Sequence, residues 1–282
     1  MNARIFIGND RVDAVAADDR GLAYGDGLFE TLRIHRGSAP WWDRHWARLS
    51  RGAERLRLPL PAPEMVRDQA WAMMAGNEAG VLKLILTRGS GGRGYALPAT
   101  AVPTWILSTH ALPPKVVGDG LSLRWCDTRL SIQPALAGLK HCNRLEQVLA
   151  RAECGDPAHP GQHADEGLML DTEQNVIGAT AANLFVMVDG QWATPRIDRC
   201  GIAGVCRSWV LPELQACETR LTRAQVESAQ AVFLCNAVRG ILPVARLGES
   251  GWALHPQVSA LRDRLAAAVP MFAPHNERIA NA

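Results

Sequence analysis

Four groups of residues have the types and spacing to do chemistry. Lys140 stands in the stretch Gly-Leu-Lys-His-Cys-Asn-Arg-Leu-Glu-Gln (138–147), just ahead of a run with helical spacing. The chain carries only three lysines, Lys83, Lys115 and Lys140, against many arginines, so Lys140 is not part of a generic basic coat. A partly desolvated lysine loses its proton more readily, and the neutral amine can add to an aldehyde; the spacing equally fits a solvated lysine between two elements. Arg88 and Arg93 flank a glycine-rich loop that ends in Gly94 and Tyr95. Two guanidiniums there suit a carboxylate-bearing ligand, and a surface hairpin has the same composition. The loop lacks the Gly-Lys-Ser/Thr ending of a P-loop and the strand-to-helix setting of a dinucleotide fingerprint. Gly-Ile-Ala-Gly-Val-Cys-Arg (201–207) leads into a helix. Backbone N–H groups at such a start can hold a phosphate, or the glycines can simply allow close packing. Arg48 lies on a helix between Trp46 and Leu49, where it is either drawn inward or left in solvent.

The elements that must position these groups follow from periodicity. Alternation over 3–7 and short apolar or strand-like runs over 12–16, 29–34, 81–87, 104–109, 121–125 and 167–170 predict strands. A strand region over 176–188, broken by Gly178 and by Ala181-Ala182-Asn183, is followed by strands at 191–194 and 231–234. Helical spacing covers 43–58, 63–76, 143–151, 205–216, 221–230 and 255–268. In 143–151 the apolar side would be Leu145, Val148 and Leu149, with Arg144, Glu146 and Arg151 outward. Asn143 would be the N-cap and Glu146 its capping-box partner. The glycines of 18–34 read as sharp turns, 111–115 as a stiff linker, and the tail beyond Pro270 as loosely held. The expectation is an α/β chain in two domains, 1–110 and 119–282, joined by a linker at 111–118.

Composition excludes several classes of function. The formal charge is +2 and no basic run suggests nucleic acid; no apolar stretch is long enough for a membrane span. The N-terminal residues lack the apolar core of a signal peptide. Seven scattered cysteines fit reduced thiols in a cytoplasm. Cys154, His159 and His163 sit in a Gly/Pro/Asp-rich loop without a paired CxxC, so a surface loop is favoured over a metal site.

Taken in order, these segments resemble the fold-type IV pyridoxal-phosphate enzymes, a family that contains branched-chain and D-amino acid aminotransferases and 4-amino-4-deoxychorismate lyase. The likeness is strongest to the lyase branch. It rests on Gly-Asp-Gly-Leu-Phe-Glu-Thr (25–31), Arg-Gly-Ser-Gly-Gly-Arg-Gly-Tyr (88–95), Lys-His-Cys-Asn-Arg-Leu-Glu-Gln (140–147) and Cys235-Asn236-Ala237. The resemblance implies pyridoxal 5'-phosphate as cofactor, with Lys140 as Schiff-base lysine and general acid/base. It implies Arg48, Gly204, Val205, Cys206, Asn236 and Ala237 around the cofactor phosphate. It implies Arg88 and Arg93 on substrate carboxylates, and Tyr24 and Thr31 on the substrate side, with Thr31 able to relay a proton. The implied activity is conversion of 4-amino-4-deoxychorismate to 4-aminobenzoate and pyruvate, feeding folate synthesis, in a homodimer; transamination of D-amino or branched-chain acids is the alternative. One position departs. The family glutamate that meets the pyridine nitrogen, five residues before the asparagine of its Asn-Leu/Phe segment, corresponds to Gly178. Glu173, in the preceding turn, substitutes only if the chain folds back, and Thr180 or water is otherwise left to serve that nitrogen, which is expected to be largely unprotonated, with very low side transamination.

Overall fold

The structure is a computed structural model that describes residues 2–114, 116, 118–155 and 163–273. Its first half contains β1 (Asn2–Ile7), β2 (Asp10–Val12), α1 (Arg20–Tyr24), β3 (Gly27–His35), α2 (Trp42–Leu56), α3 (Pro63–Met74), β4 (Ala79–Thr87) and β5 (Thr104–His110). The five strands form one antiparallel sheet in the order β2-β1-β5-β4-β3. β3 shows the strict alternation of a half-buried strand: Leu28, Glu30, Leu32 and Ile34 face inward, and Phe29, Thr31 and Arg33 face the other way. α2 lays Trp42, His45, Leu49, Gly52 and Ala53 on the inward face, the i, i+3, i+4 stripe of an amphipathic helix. Gly52 lets the helix approach the sheet, since a Cβ there would stand 2.9 Å from a Leu28 methyl. Val66, Ala70, Leu82, Leu84, Trp105 and Leu107 complete this core.

The rest of the chain contains β6 (Leu121–Trp125), α4 (Leu145–Glu153), β7 (Glu166–Leu170), β8 (Val176–Ala179), β9 (Asn183–Val188), β10 (Gln191–Pro195), α5 (Val205–Leu214), β11 (Cys217–Thr219), α6 (Arg223–Glu227), β12 (Ala231–Asn236), β13 (Gly240–Leu247), β14 (Ser250–Gly251) and α7 (Pro256–Ala268), then a short 3-10 turn, Pro270–Phe272. The strands make a mixed nine-stranded sheet, β11-β10-β9-β12-β13-β6-β7-β8, with β14 beside β13. One core lies between this sheet and α5 and α7, built on Phe185, Phe233, Val210 and Leu261. Another, around Leu168, Leu184, Leu234 and Leu242, involves α6 through Val226.

Several expectations are corrected. Periodicity marks no strand over 240–247, yet β13 is a central strand, between β12 and β6. Pro243 is tolerated in it beside an irregularity in the register with β6, between Val244 and Arg246. The glycine-rich 18–34 stretch is not turns alone: Asp19 caps the single-turn helix α1 by accepting from the Gly21 N–H at 2.8 Å. The chain just after Pro270 is docked, with Met271 buried and the Phe272 ring beneath the Arg33 guanidinium at 5.3 Å. The clearest reversal is α4. Its N-cap is Arg144, without a side-chain cap bond; Asn143 instead donates to the Gly25 carbonyl, and Glu146 accepts from the Ser131 N–H. Ala150 is the buried residue of the helix, while Leu145, Val148 and Leu149 are 76%, 60% and 59% exposed.

Candidate active site

Lys140 is held by backbone pairing on both sides of its segment. The Phe29 N–H donates to the Lys140 carbonyl at 2.9 Å and the Cys142 N–H to Gly27 at 2.9 Å, which ties the segment to the edge of β3. On the other flank, the Gly138 N–H donates to Gly201 and the Ala203 N–H to Gly138, at 3.0 and 3.2 Å. Arg55 of α2 donates to the carbonyls of Pro134, Ala135 and Ala137 and pins the approach to the lysine. Lys140 is thus strung between a strand edge of the first sheet and the loop that opens α5. Its amine lies 4.2 Å from the centre of the Phe29 ring.

The lysine opens into a cavity of about 760 Å³. Arg48 and Thr31 line it from one side, Gly204, Val205, Asn236 and Ala237 from another, and the 177–183 segment with Glu166 from a third. Burial lowers the Lys140 pKa to about 7, and the positive charges of Arg48, Arg144 and Lys83 push the same way against the pull of Glu30. Burial therefore favours the neutral amine, the state that attacks a carbonyl carbon.

Arg48 is held by a buried pair that the sequence reading missed. Its Nε donates to Glu30 at 2.8 Å and its Nη2 at 2.5 Å, while Nη1 donates to the Ala203 carbonyl at 3.1 Å. His45, one turn earlier, sits 2.6 Å from Glu30 through Nδ1. Burial favours the neutral imidazole and lowers its pKa despite Glu30, so Nδ1–H donates to the carboxylate. Burial also penalises the Glu30 charge, but Arg48 and His45 outweigh it and hold the carboxyl at about 2. A signal was present: Glu30 is the one charged residue on the inward face of β3, and an acid there needs a buried cation. With three N–H groups committed, the guanidinium has two left to offer the cavity.

The start of α5 supplies a second anion-binding element. Gly204 is its N-cap and has no side-chain cap bond, so the first N–H groups of the helix are unclaimed by a capping side chain. Gly204 cannot carry a side chain, because a Cβ would stand 2.0 Å from Asn183 Oδ1. Val205 lines the cavity, whereas the Cys206 side chain is fully buried in the core beneath and has only its backbone N–H to contribute. Asn236 and Ala237 line the cavity beside the α5 start. The Asn236 Oδ1 accepts from the Val238 and Arg239 N–H groups and its Nδ2 donates to Ala181, so the side chain shapes the turn and leaves contact to the backbone.

Arg88 is not a cavity residue. It is 4% exposed and bound from all sides: Nε and Nη2 donate to Asp26 at 2.7 and 3.0 Å, Nη1 to the Arg57 carbonyl at 2.6 Å and Nη2 to Leu56 at 2.9 Å. It staples the C-terminal end of α2 to β4. Arg93 and Tyr24 also lie outside the cavity of their own chain. Arg93 is exposed, and the Tyr24 hydroxyl accepts from the Gly94 N–H at 3.2 Å. Glu173 pairs with Arg199 away from the cavity. Among the described residues no group of three metal-ligating side chains gathers, and His159 lies outside them.

A lysine amine with a lowered pKa faces, across one cavity, a helix start with no capping side chain and a partly buried arginine, groups suited to an aldehyde that carries a phosphate. The chain belongs to the family described as amino-transferase class IV, which it matches over residues 27–247 and whose cofactor is pyridoxal 5'-phosphate. It is 35% identical to an aminodeoxychorismate lyase from Vibrio harveyi, over 82% of this chain and 86% of that one. The structure superposes on a 4-amino-4-deoxychorismate lyase from Pseudomonas aeruginosa with a TM-score of 0.85 and 41% identity, covering 94% and 99% of the two chains. It shares its fold with the Escherichia coli branched-chain amino acid aminotransferase, at a TM-score of 0.79 and 19% identity over 94% and 93%. The lining is chemically compatible with such a cofactor, since an amine at Lys140 and anion-binding groups at the α5 start and Arg48 open on one cavity.

Proposed function

We propose that this chain is a pyridoxal-phosphate-dependent lyase that converts 4-amino-4-deoxychorismate to 4-aminobenzoate and pyruvate. The observation that carries the reading is Lys140, an amine with a pKa lowered to about 7 in a cavity with two anion-binding elements. The 35% and 41% identities to lyases favour elimination over amino transfer. When bound, the cofactor supplies an aldehyde for the amine and a sink for electrons released at the adjacent carbon. Lys140 then takes the proton from the substrate carbon that bears the amino group. The neighbouring C–O bond to the enolpyruvyl group breaks, and the ring becomes aromatic. Protonated Lys140 returns its proton to the departing enolpyruvate, directly or through the Thr31 hydroxyl, and pyruvate results. Arg48 and the helix start hold the phosphate throughout.

The same reading divides the chain into domains 1–110 and 119–282 with a linker between, supported by strands of the first sheet ending at His110 and those of the second beginning at Leu121. It takes the protein as a homodimer. Support comes from the exposed Leu145, Val148 and Leu149 on α4 beside the cavity, an apolar stripe that water does not favour. Arg93, Tyr24 and Tyr95 then belong to the boundary between copies, where Arg93 meets a substrate carboxylate. Location in the cytoplasm is supported by seven cysteines, all unpaired. No described helix is long and apolar enough to cross a membrane.

The test is direct. Purified protein is incubated with 4-amino-4-deoxychorismate, and 4-aminobenzoate and pyruvate are assayed together. Equimolar products support the lyase; no product, with amino transfer from D-alanine or branched-chain amino acids to a keto acid instead, replaces it with the transaminase.

A further inference from the structure

We propose that Glu166, acting through the hydroxyl of Thr180, holds the proton on the ring nitrogen of the cofactor. The family's usual position for that carboxylate is Gly178, and the backbone there excludes a simple substitute. Its φ is +156°, a value L side chains rarely adopt, and a Cβ would stand 3.2 Å from the Ala182 carbonyl. Sheet pairing supplies a carboxylate from elsewhere. β7 and β8 run antiparallel with Met169 opposite Gly178, and the Thr180 N–H donates to Gly167 at 3.0 Å. This register sets Thr180 beside Glu166, and the Thr180 hydroxyl donates to Glu166 Oε1.

The direction of that hydrogen bond decides what the pair can do. A hydroxyl has one proton and two lone pairs. With the proton committed to Glu166, Thr180 presents the cavity with lone pairs only. Its complement is a donor, and a protonated pyridine nitrogen is the donor the cofactor can offer. The ring nitrogen lies across the ring from the aldehyde carbon. With the aldehyde at Lys140 and the phosphate at the α5 start, the nitrogen is directed to the remaining wall, which Thr180 and Glu166 line. The charge behind the hydroxyl favours the protonated ring by the same electrostatics that a direct carboxylate would use.

The bond from Thr180 singles out Glu166 among the acids, although Glu166 also accepts from the Gly167 N–H at 3.0 Å. Among the described cavity-lining residues the acids are Asp165 and Glu166, and Asp165 accepts from the Ser122 N–H at 2.8 Å. Glu173 belongs to Arg199. Arg151 stands 3.6 Å from Glu166 and opposes the effect, but about half of its side chain is in solvent, where its field is screened. The expectation of an unprotonated ring, drawn from Gly178 alone, is therefore replaced. Here Thr180 contacts the cofactor, and Glu166 is a positioning residue that acts through it.

The inference rests on the cofactor placement proposed above, and the experiment separates the two. Holoenzyme is reconstituted with pyridoxal 5'-phosphate labelled with 15N at the ring nitrogen, and its 15N signal is recorded at neutral pH. The wild-type signal is expected at the pyridinium position. Glu166→Gln and Thr180→Val should move it to the neutral-pyridine position, and Thr180→Ser should restore it. A neutral-pyridine signal in the wild type, or a pyridinium signal unmoved in both variants, overturns the proposal. Borohydride reduction and peptide mapping are run on the same samples. A label found away from Lys140 overturns the cofactor placement and this inference with it; a label on Lys140 with an unmoved 15N signal overturns the role of Glu166 alone.

Discussion

Arg88→Ala separates a structural arginine from a substrate-binding one. The substitution removes two bonds to Asp26 and two to the carbonyls that end α2. Breaking a buried ion pair costs about 3–5 kcal/mol when one partner is stranded. Asp26 is not fully stranded, because Arg20 Nε still donates to it at 2.9 Å, so the lower end applies, about 3 kcal/mol. For a chain of 282 residues, at about 2.1 cal/mol/K per residue, each kcal/mol moves Tm by about 1.7 °C, so the expected loss is about 5 °C. The exposed Arg93→Ala should stay within about 0.5 kcal/mol of wild type. The pH dependence has a definite sign. Burial raises the Asp26 pKa, but Arg88 and Arg20 outweigh it and leave the carboxyl below its ordinary 3.8. A depressed carboxylate stabilises the fold above its unfolded pKa and loses that contribution as pH falls through the folded one. The Tm gap between wild type and Arg88→Ala should hold at about pH 5 and narrow as the solution is acidified below 3.8. Scanning calorimetry across pH, with kcat/KM measured well below both melting temperatures, is the assay. An unchanged Tm together with a KM raised tenfold or more would refute the structural assignment.

The remaining predictions concern the cavity and α4. Lys140→Ala should abolish both turnover and the visible absorbance of bound cofactor; a borohydride-reducible chromophore persisting in that variant would move the linkage to Lys83 or Lys115. In cofactor-free protein, the rate of cofactor capture should rise with pH through about 7 rather than through 10.5. Stability of that form should climb between the same two values, because there the unfolded lysine binds a proton that the folded one has released. Arg48→Ala should weaken cofactor binding by about 10–100-fold, the worth of a charge-assisted bond to phosphate, as measured by equilibrium dialysis; an unchanged Kd would place the phosphate elsewhere. Leu145→Glu with Leu149→Glu should convert a dimer to monomer in light scattering, and a dimer that survives both would remove α4 from the interface.

The strands and helices around the site are legible in the sequence wherever one side of an element alone is buried. β3 and α2 carry their alternation and their i, i+3, i+4 stripe openly, because burial on one side imprints a period on residue type, and β4 shows as a short apolar run. Lys140, the Gly204 start of α5 and Arg48 stand out for a related reason: an uncommon residue type in a distinctive local segment is a property of the chain itself. α4 shows the limit of that logic. Its leucines make an apolar stripe that periodicity assigns to the core of the same chain, yet only the packed structure shows that stripe turned outward, since a helix's period says that one face is buried but not against what. β13 was hidden because Pro243 breaks the pattern of a strand, and only a register irregularity against β6 makes it tolerable. Arg88 reads as a ligand in sequence, and tertiary packing gives it to Asp26 and the end of α2. Glu30 is marked in sequence only as an acid on an inward face in need of a cation, and His45 and Glu166 lie in ordinary elements, with nothing local to name Arg48 and Thr180 as the neighbours. Those contacts join residues 14 to 18 positions apart or cross from one element to another, and they exist only once sheet register and helix docking have placed the side chains.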